Sequence, residues 1–133
     1  MSELPDTDDA RRDAGMRTRR EVLGDAWVDR AVAGTTPFTA DFQDFITRVA
    51  WGDVWQRPGL SRRDRSLMTL SITIALRHWD EFALHVRAAR NNGLSDEEIA
   101  EVIQHAAVYA GVPAANHAFK VAAPILEELR GQA

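Results

Sequence analysis

The stretch "GLSDEEIAEVIQHAAVYAG", Gly93 to Gly111, restricts the fold more than any other part of this 133-residue chain. Ser95 and Glu98 stand in the S-x-x-E spacing of a capping box. In that motif the serine hydroxyl and the glutamate carboxylate satisfy N–H groups that the first turn of a helix leaves open. Asp96 and Glu97 place negative charge at the positive end of the helix dipole. Ile99, Val102, Ile103, Ala106 and Ala107 then recur at helical spacing, and Gly111 is suited to end the helix. An element with one apolar stripe has to bury it against others, and the neighbouring segments repeat the pattern.

"PAANHAFKVAAPILEELR" follows, with Pro113 fitting the first turn of a last helix and Pro124 expected to kink or interrupt it. Upstream, "GLSRRDRSLMTLSITIALRHW" offers Ser61 as an N-cap and Asp64 near the dipole's positive end. Its second half is apolar almost all round, which predicts a buried helix. The alternation in "LSITIAL" also fits a strand, but the segment's length, its cap and its helical neighbours favour helix. "TTPFTADFQDFITRVAWGDVW" puts Phe42, Phe45, Ile46, Val49 and Ala50 on one helical stripe. "RRDAGMRTRREVLG" predicts a solvated basic helix ended by Gly24; a subunit contact or an anionic ligand is the alternative for its arginines. Residues 1–10 read as a disordered tail and 11–133 as a single domain. No segment makes a convincing sheet, so the expected class is all-α, a compact helical bundle.

Composition narrows the function. Sixteen Lys+Arg against 20 Asp+Glu give a net charge of −4, which disfavours a general nucleic-acid binder. There are no cysteines, which excludes disulfides, thiolate metal sites and thiol redox chemistry. "MSELPDTDDA" is acidic and polar where a secretory signal would be basic and then apolar. The most apolar run, Leu67 to Leu76, is broken by Thr69, Ser71 and Thr73 and is far shorter than the roughly 20 residues a bilayer needs. The expectation is a soluble, cytoplasmic domain that engages no membrane.

The candidate chemistry centres on "HWDEFALHVRAARNNG". His78, Glu81 and His85 share one helical face at i, i+3, i+7. The two histidines lie about 10 Å apart along the axis, too far for one metal ion, so no metal is expected. Glu81 and His85 are i, i+4 neighbours, a spacing at which a carboxylate can orient an imidazole for proton transfer or can simply be a surface pair. His105 and Tyr109 repeat that spacing on the next helix, in an apolar stretch where both could equally be satisfied core residues. Trp79, beside His78, is a candidate pocket wall; the other tryptophans read as core or subunit contacts.

In order, "RRDRSLMTLSITIALRHWDEFALHVRAARNNGLSDEEIAEVIQHAAVYAGVPAANHAF" resembles the carboxymuconolactone decarboxylase family. E-x-x-x-H at Glu81–His85, "RAARNNG" and "EEIAEVIQHAAVYAGVPAANHAF" carry the resemblance, and "GMRTRREVLGDAWVDRA" extends it upstream. Alkylhydroperoxidase D-like proteins share the fold, and their C-x-x-C-x-x-x-H motif would fall on His78, Glu81 and His85. With both cysteines absent, their peroxidase chemistry is impossible here.

The resemblance implies a compact bundle of the alkylhydroperoxidase D-like type, assembled as a homo-oligomer, commonly a hexamer. It implies cofactor-free decarboxylation of 4-carboxymuconolactone to 3-oxoadipate enol-lactone and CO2 in protocatechuate degradation. Within it, His85 and Glu81 are the expected catalytic pair, with His105 and Tyr109 as further candidates. His78, Trp79, Arg62, Arg63, Arg65 and Arg77 are the candidates for binding the dianionic substrate. The alternatives are a decarboxylase or isomerase for a related lactone or keto acid, or a non-catalytic oligomeric binding protein.

Overall fold

The computed structural model describes residues 7–132. Among them the chain forms seven α-helices and one π-helical segment, with no strand, as the sequence patterns require. The chain divides into two compact units, the first ending at Arg62 and the second beginning at Arg63. No helix among the described residues is long and apolar enough to cross a membrane.

The first unit holds α1 (Asp8–Leu23), α2 (Asp25–Ala33), α3 (Ala40–Ile46) and the π-helical segment Thr47–Val54. Asp8, Asp9 and Ala10, expected in a disordered tail, are the first turn of α1 instead. Thr7 caps that turn by accepting the Ala10 N–H at 3.1 Å, and the acidic pair faces the dipole's positive end. The rest of the expected tail lies outside the described residues. α1 ends at Gly24 as expected.

α1 packs on the π segment through glycines. A Cβ on Gly15 would stand 2.1 Å from the Thr47 carbonyl oxygen, and one on Gly52 would stand 2.5 Å from the Arg11 carbonyl oxygen. Only hydrogen fits at either place. Of the arginines of α1, Arg17 is exposed, Arg19 is buried and the others pair with carboxylates. Arg11 forks onto Asp53 (Nε–Oδ1 2.9 Å, Nη2–Oδ2 2.6 Å), and Asp44 joins Arg12 to Arg48. Arg19 is buried, donating to Gln43 Oε1 at 3.2 Å with its guanidinium 5.6 Å from the Trp27 ring centre. The Phe42–Val49 stripe is not a buried face either. Phe42 and Phe45 are exposed, and the turns beyond Ile46 widen to i→i+5, which breaks the 3.6-residue register.

The second unit holds α5 (Trp79–Asn91), α6 (Asp96–Ala110) and α7 (Val112–Gly131), with α4 (Arg62–Ala75) beginning at the division. Its core joins Leu70 and Ile74 of α4 to Phe82 and Val86 of α5, Ile99 and Ile103 of α6, and the small residues Ala114, Ala118 and Ala122 of α7. The "LSITIAL" run is helical. The capping box forms, Glu98 N–H donating to Ser95 Oγ at 3.1 Å and Ser95 N–H to Glu98 Oε1 at 3.0 Å. Gly111 ends α6 at φ 102°, a left-handed value that favours glycine. α7 takes Pro113 in its first turn and continues through Pro124 without interruption.

The turn from α4 to α5 is a Schellman motif. His78 N–H donates to the Thr73 carbonyl at 2.9 Å and Arg77 N–H to the Ile74 carbonyl at 3.1 Å. The left-handed position, normally glycine, is occupied by Arg77 at φ 57°. A residue with a Cβ is about 1 kcal/mol less comfortable there than glycine.

Candidate active site

Two places in the second unit bring reactive side chains together. The first is a polar seam along the α4–α5 hairpin. Asn92, which caps the C-terminus of α5, donates to Ser66 Oγ of α4 at 3.0 Å and ties the end of one helix to the first turns of the other. Two turns along α4 from Ser66, Thr73 is buried, as is His85 on α5. The Thr73 hydroxyl donates back to the Thr69 carbonyl at 2.7 Å. Arg65, one residue before Ser66, is 9% exposed. Arginine, serine, threonine and histidine are costly to bury, so a seam of them trades stability for chemistry.

His85 is 6% exposed, and burial pushes its titration from 6.5 down to about 4. The direction is that of an imidazole taken away from water, which disfavours its charged form. Glu81 itself is exposed, one turn nearer the start of α5. In the substrate-free protein His85 is therefore a neutral imidazole at pH 7, not a standing acid.

The second place is a hollow between α4 and α6. Its residues pair in step along both helices, from Arg63 beside Glu98, through Ser71 beside His105, to Ala75 beside Tyr109, so the helices run parallel. The upper part has a volume of about 430 Å³ and is lined by Ile72, Ala75, His105 and Tyr109 among others. The His105 and Tyr109 rings lie 5.2 Å apart. Neither is a core residue: His105 is exposed and Tyr109 is 81% exposed. The helical stripe of α6 buries Ile99, Ile103 and Ala106, and the two ring-bearing positions fall to one side of it.

The remaining candidates separate. His78 is exposed at the N-terminus of α5. Trp79 packs edge-on to Phe82 (centroids 5.8 Å) and against His117 (4.5 Å), which binds the start of α5 to α7. Arg62 pairs with Glu21 and Arg63 with Glu98. The described residues contain no group of three or more histidines and carboxylates that could hold a metal ion. Sequence reasoning missed Ser66 and Thr73, each a small polar residue at a buried position of α4, which is the signal that could have found them, and Asn92 at the cap of α5.

Described residues that are all helical, a chain without thiols and a buried imidazole are the frame of a known enzyme class. The chain belongs to the carboxymuconolactone decarboxylase family, whose model matches residues 40–124, and is by that membership a carboxy-lyase. It is 44% identical to 4-carboxymuconolactone decarboxylase of Acinetobacter baylyi over 122 residues, 92% of this chain and 91% of that one. It is 45% identical to nitrosuccinic acid decarboxylase of Metarhizium robertsii over 117 residues, 88% of this chain and 82% of that one. A Pseudomonas putida 4-carboxymuconolactone decarboxylase sequence matches at 56% identity over 43 residues, 32% of this chain and 90% of that one.

Proposed function

We propose that this protein decarboxylates 4-carboxymuconolactone to 3-oxoadipate enol-lactone and CO2, without a metal or organic cofactor, as a cytoplasmic step of protocatechuate degradation. The observation that carries this reading is the 44% identity to an enzyme named for that reaction along 92% of the chain.

The chemistry needs little equipment. The bond to the departing carboxylate breaks, CO2 leaves, and the electron pair passes through the ring double bond into the lactone carbonyl as a dienolate. A proton then forms the new C–H bond. The protein has to stabilise the oxygen's charge and supply that proton.

The buried His85 suits both tasks in sequence. A dianion bound beside a desolvated imidazole raises its proton affinity, so substrate binding loads a proton that the empty site does not hold. Once the proton has moved to carbon, the product carries one negative charge fewer, and the imidazole returns to its neutral, buried state. Glu81, exposed one turn away, is the proposed partner of His85, orienting the ring or passing protons to it from solvent. His105 and Tyr109 are the alternative donors.

The test is loss of the substrate's ultraviolet absorbance together with CO2 release by the purified protein. Absence of turnover by a folded, assembled preparation overturns the reading. A second substrate deserves a parallel assay because the 45% relative is named for nitrosuccinic acid. A nitro group beside a carboxylate is also an electron sink, so the same proton logic would serve. Preference for nitrosuccinate in kcat/KM would favour that reading.

A further inference from the structure

Charged residues make up 27% of this chain, yet residues 66–76 and 102–119 contain no Asp, Glu, Lys or Arg. One side of each stretch lies in the core of the second unit. The other side is uncovered: Met68, Ile72 and Leu76 of the first and Val108, Tyr109 and Val112 of the second are 43–81% exposed. These residues are neighbours. Ile72, Val108 and Tyr109 line the hollow between α4 and α6, Met68 and Leu76 stand one turn to either side of Ile72, and Val112 follows the end of α6. Together the six expose on the order of 700 Å² of surface, close to the roughly 800 Å² that each partner gives to a standard interface.

We propose that this face is a two-fold contact between two copies of the chain, the α4 ridge of each lying in the α4–α6 hollow of the other. An uncharged apolar face needs a partner of the same kind, and a second copy brings the identical surface. The face also carries its own complement. The ridge of Met68, Ile72 and Leu76 stands beside a hollow of about 430 Å³, so rotation by half a turn seats ridge in hollow twice at once. Depletion of charge together with a methionine and an exposed tyrosine is the composition of an interface centre rather than of a solvated surface. Tyr109 fits that setting, because Ser71, Gln104 and His105 line the hollow and offer its hydroxyl partners once water is excluded.

The contact fixes the symmetry of any larger assembly. In a head-to-tail ring no face meets itself, whereas an assembly of paired copies repeats this contact in every pair. The proposal rests on the surface of the second unit alone and holds whichever acid the protein decarboxylates.

Two features of the composition make the test clean. Tyr109 is the chain's one tyrosine, so tetranitromethane has a single phenol to nitrate, and the absence of cysteine lets an introduced thiol act alone. A phenol buried in the contact reacts only in the dissociated fraction. At micromolar concentration Tyr109 of the wild type should therefore nitrate about tenfold more slowly, or slower still, than in Ile72→Lys/Val108→Lys. Both lysines replace exposed residues, and far-ultraviolet circular dichroism checks that the variant keeps its helices. The second arm leaves the fold untouched by charge: Met68→Cys, Ile72→Cys, Leu76→Cys and Val108→Cys, each alone, are treated with a short bismaleimide. Positions near a two-fold axis meet their own equivalents, so at least one of the four should give a covalent dimer. Glu127→Cys, at an exposed position of α7, should give none.

Nitration as fast in the wild type as in a folded lysine variant leaves the face open and overturns the proposal. A slowly nitrated Tyr109 in a protein of monomeric mass overturns it too, because something other than a second copy then covers the face. An assembled protein in which none of the four cysteines links to its own equivalent overturns the two-fold and leaves a head-to-tail contact. If the lysine variant loses its helices, the cysteine series decides by itself.

Discussion

His85 links the fold to the proposed chemistry through one physical quantity, the cost of charging an imidazole away from water. Burial lowers its titration from 6.5 to about 4, so between those values the unfolded chain binds a proton that the folded chain refuses. This contribution to stability is complete above pH 6.5 and is lost as pH falls toward 4. At 1.36 kcal/mol per pH unit it amounts to roughly 3 kcal/mol. Denaturant titrations of wild type and His85→Gln between pH 7 and 4 should show the variant's stability falling less steeply; parallel curves would mean that the group is not buried. In turnover, His85→Gln should lose about 10²–10⁴-fold in kcat and the associated limb of the pH profile. Glu81→Gln should lose less, because an exposed relay can be bypassed by water. If His85→Gln keeps near-normal kcat, the proton donor moves to His105 or Tyr109 in the α4–α6 hollow.

Among the elements, α1 and α6 show opposite ways of fixing a helix. α6 is secured from its own sequence by the reciprocal Ser95–Glu98 bonds, so Ser95→Ala should cost about 1 kcal/mol by chemical denaturation. A cost near zero would mean that the box adds nothing beyond the packing of Ile99 and Ile103. α1 is fixed by what it touches. The Gly15 Cβ position falls 2.1 Å from a carbonyl oxygen and 2.9 Å from the Gly52 nitrogen, both backbone atoms that cannot step aside. Alanine would gain up to about 1 kcal/mol in helix propensity at Gly15, yet net destabilisation of about 2 kcal/mol is expected because the π segment must shift. Gly131, at the end of α7 with nothing within 4 Å, is the control, and alanine there should be neutral or slightly stabilising. A Gly15→Ala protein as stable as Gly131→Ala would refute the close crossing.

For the whole molecule, the telling feature is apolar surface outside both cores. Met68, Ile72 and Leu76 repeat at i, i+4, i+8 along α4 and are all exposed, as are Val108, Tyr109 and Val112 at the end of α6 and start of α7. Surface of this kind on adjacent helices is what subunit contacts cover. The proposed homo-oligomer, most simply a hexamer, would place it there. Light scattering at micromolar concentration should give a mass several times the 14.8 kDa of one chain. A monomeric mass would defeat the assembly proposal without touching the chemistry, and Ile72→Lys with Val108→Lys should shift an assembled protein toward smaller species.

What the sequence determined by itself was local. The capping box, the glycine stops at Gly24 and Gly111, the helical state of "LSITIAL" and the absence of thiol chemistry depend on residues within a few positions of one another, or on composition. The tertiary structure decided whatever depends on which face meets what. Glu81 and His85 share a helix face in the sequence, yet one is exposed and the other 6% exposed, a difference that only packing makes. His105 and Tyr109 sit in an apolar stretch but on its uncovered side. The arginines of α1 read as a solvated run until Asp53 and Asp44, more than thirty residues away, come to meet them. Periodicity states that a helix has an inside, but only the packing of distant segments determines which polar groups are trapped there without water, and that desolvation is what sets the titration of His85.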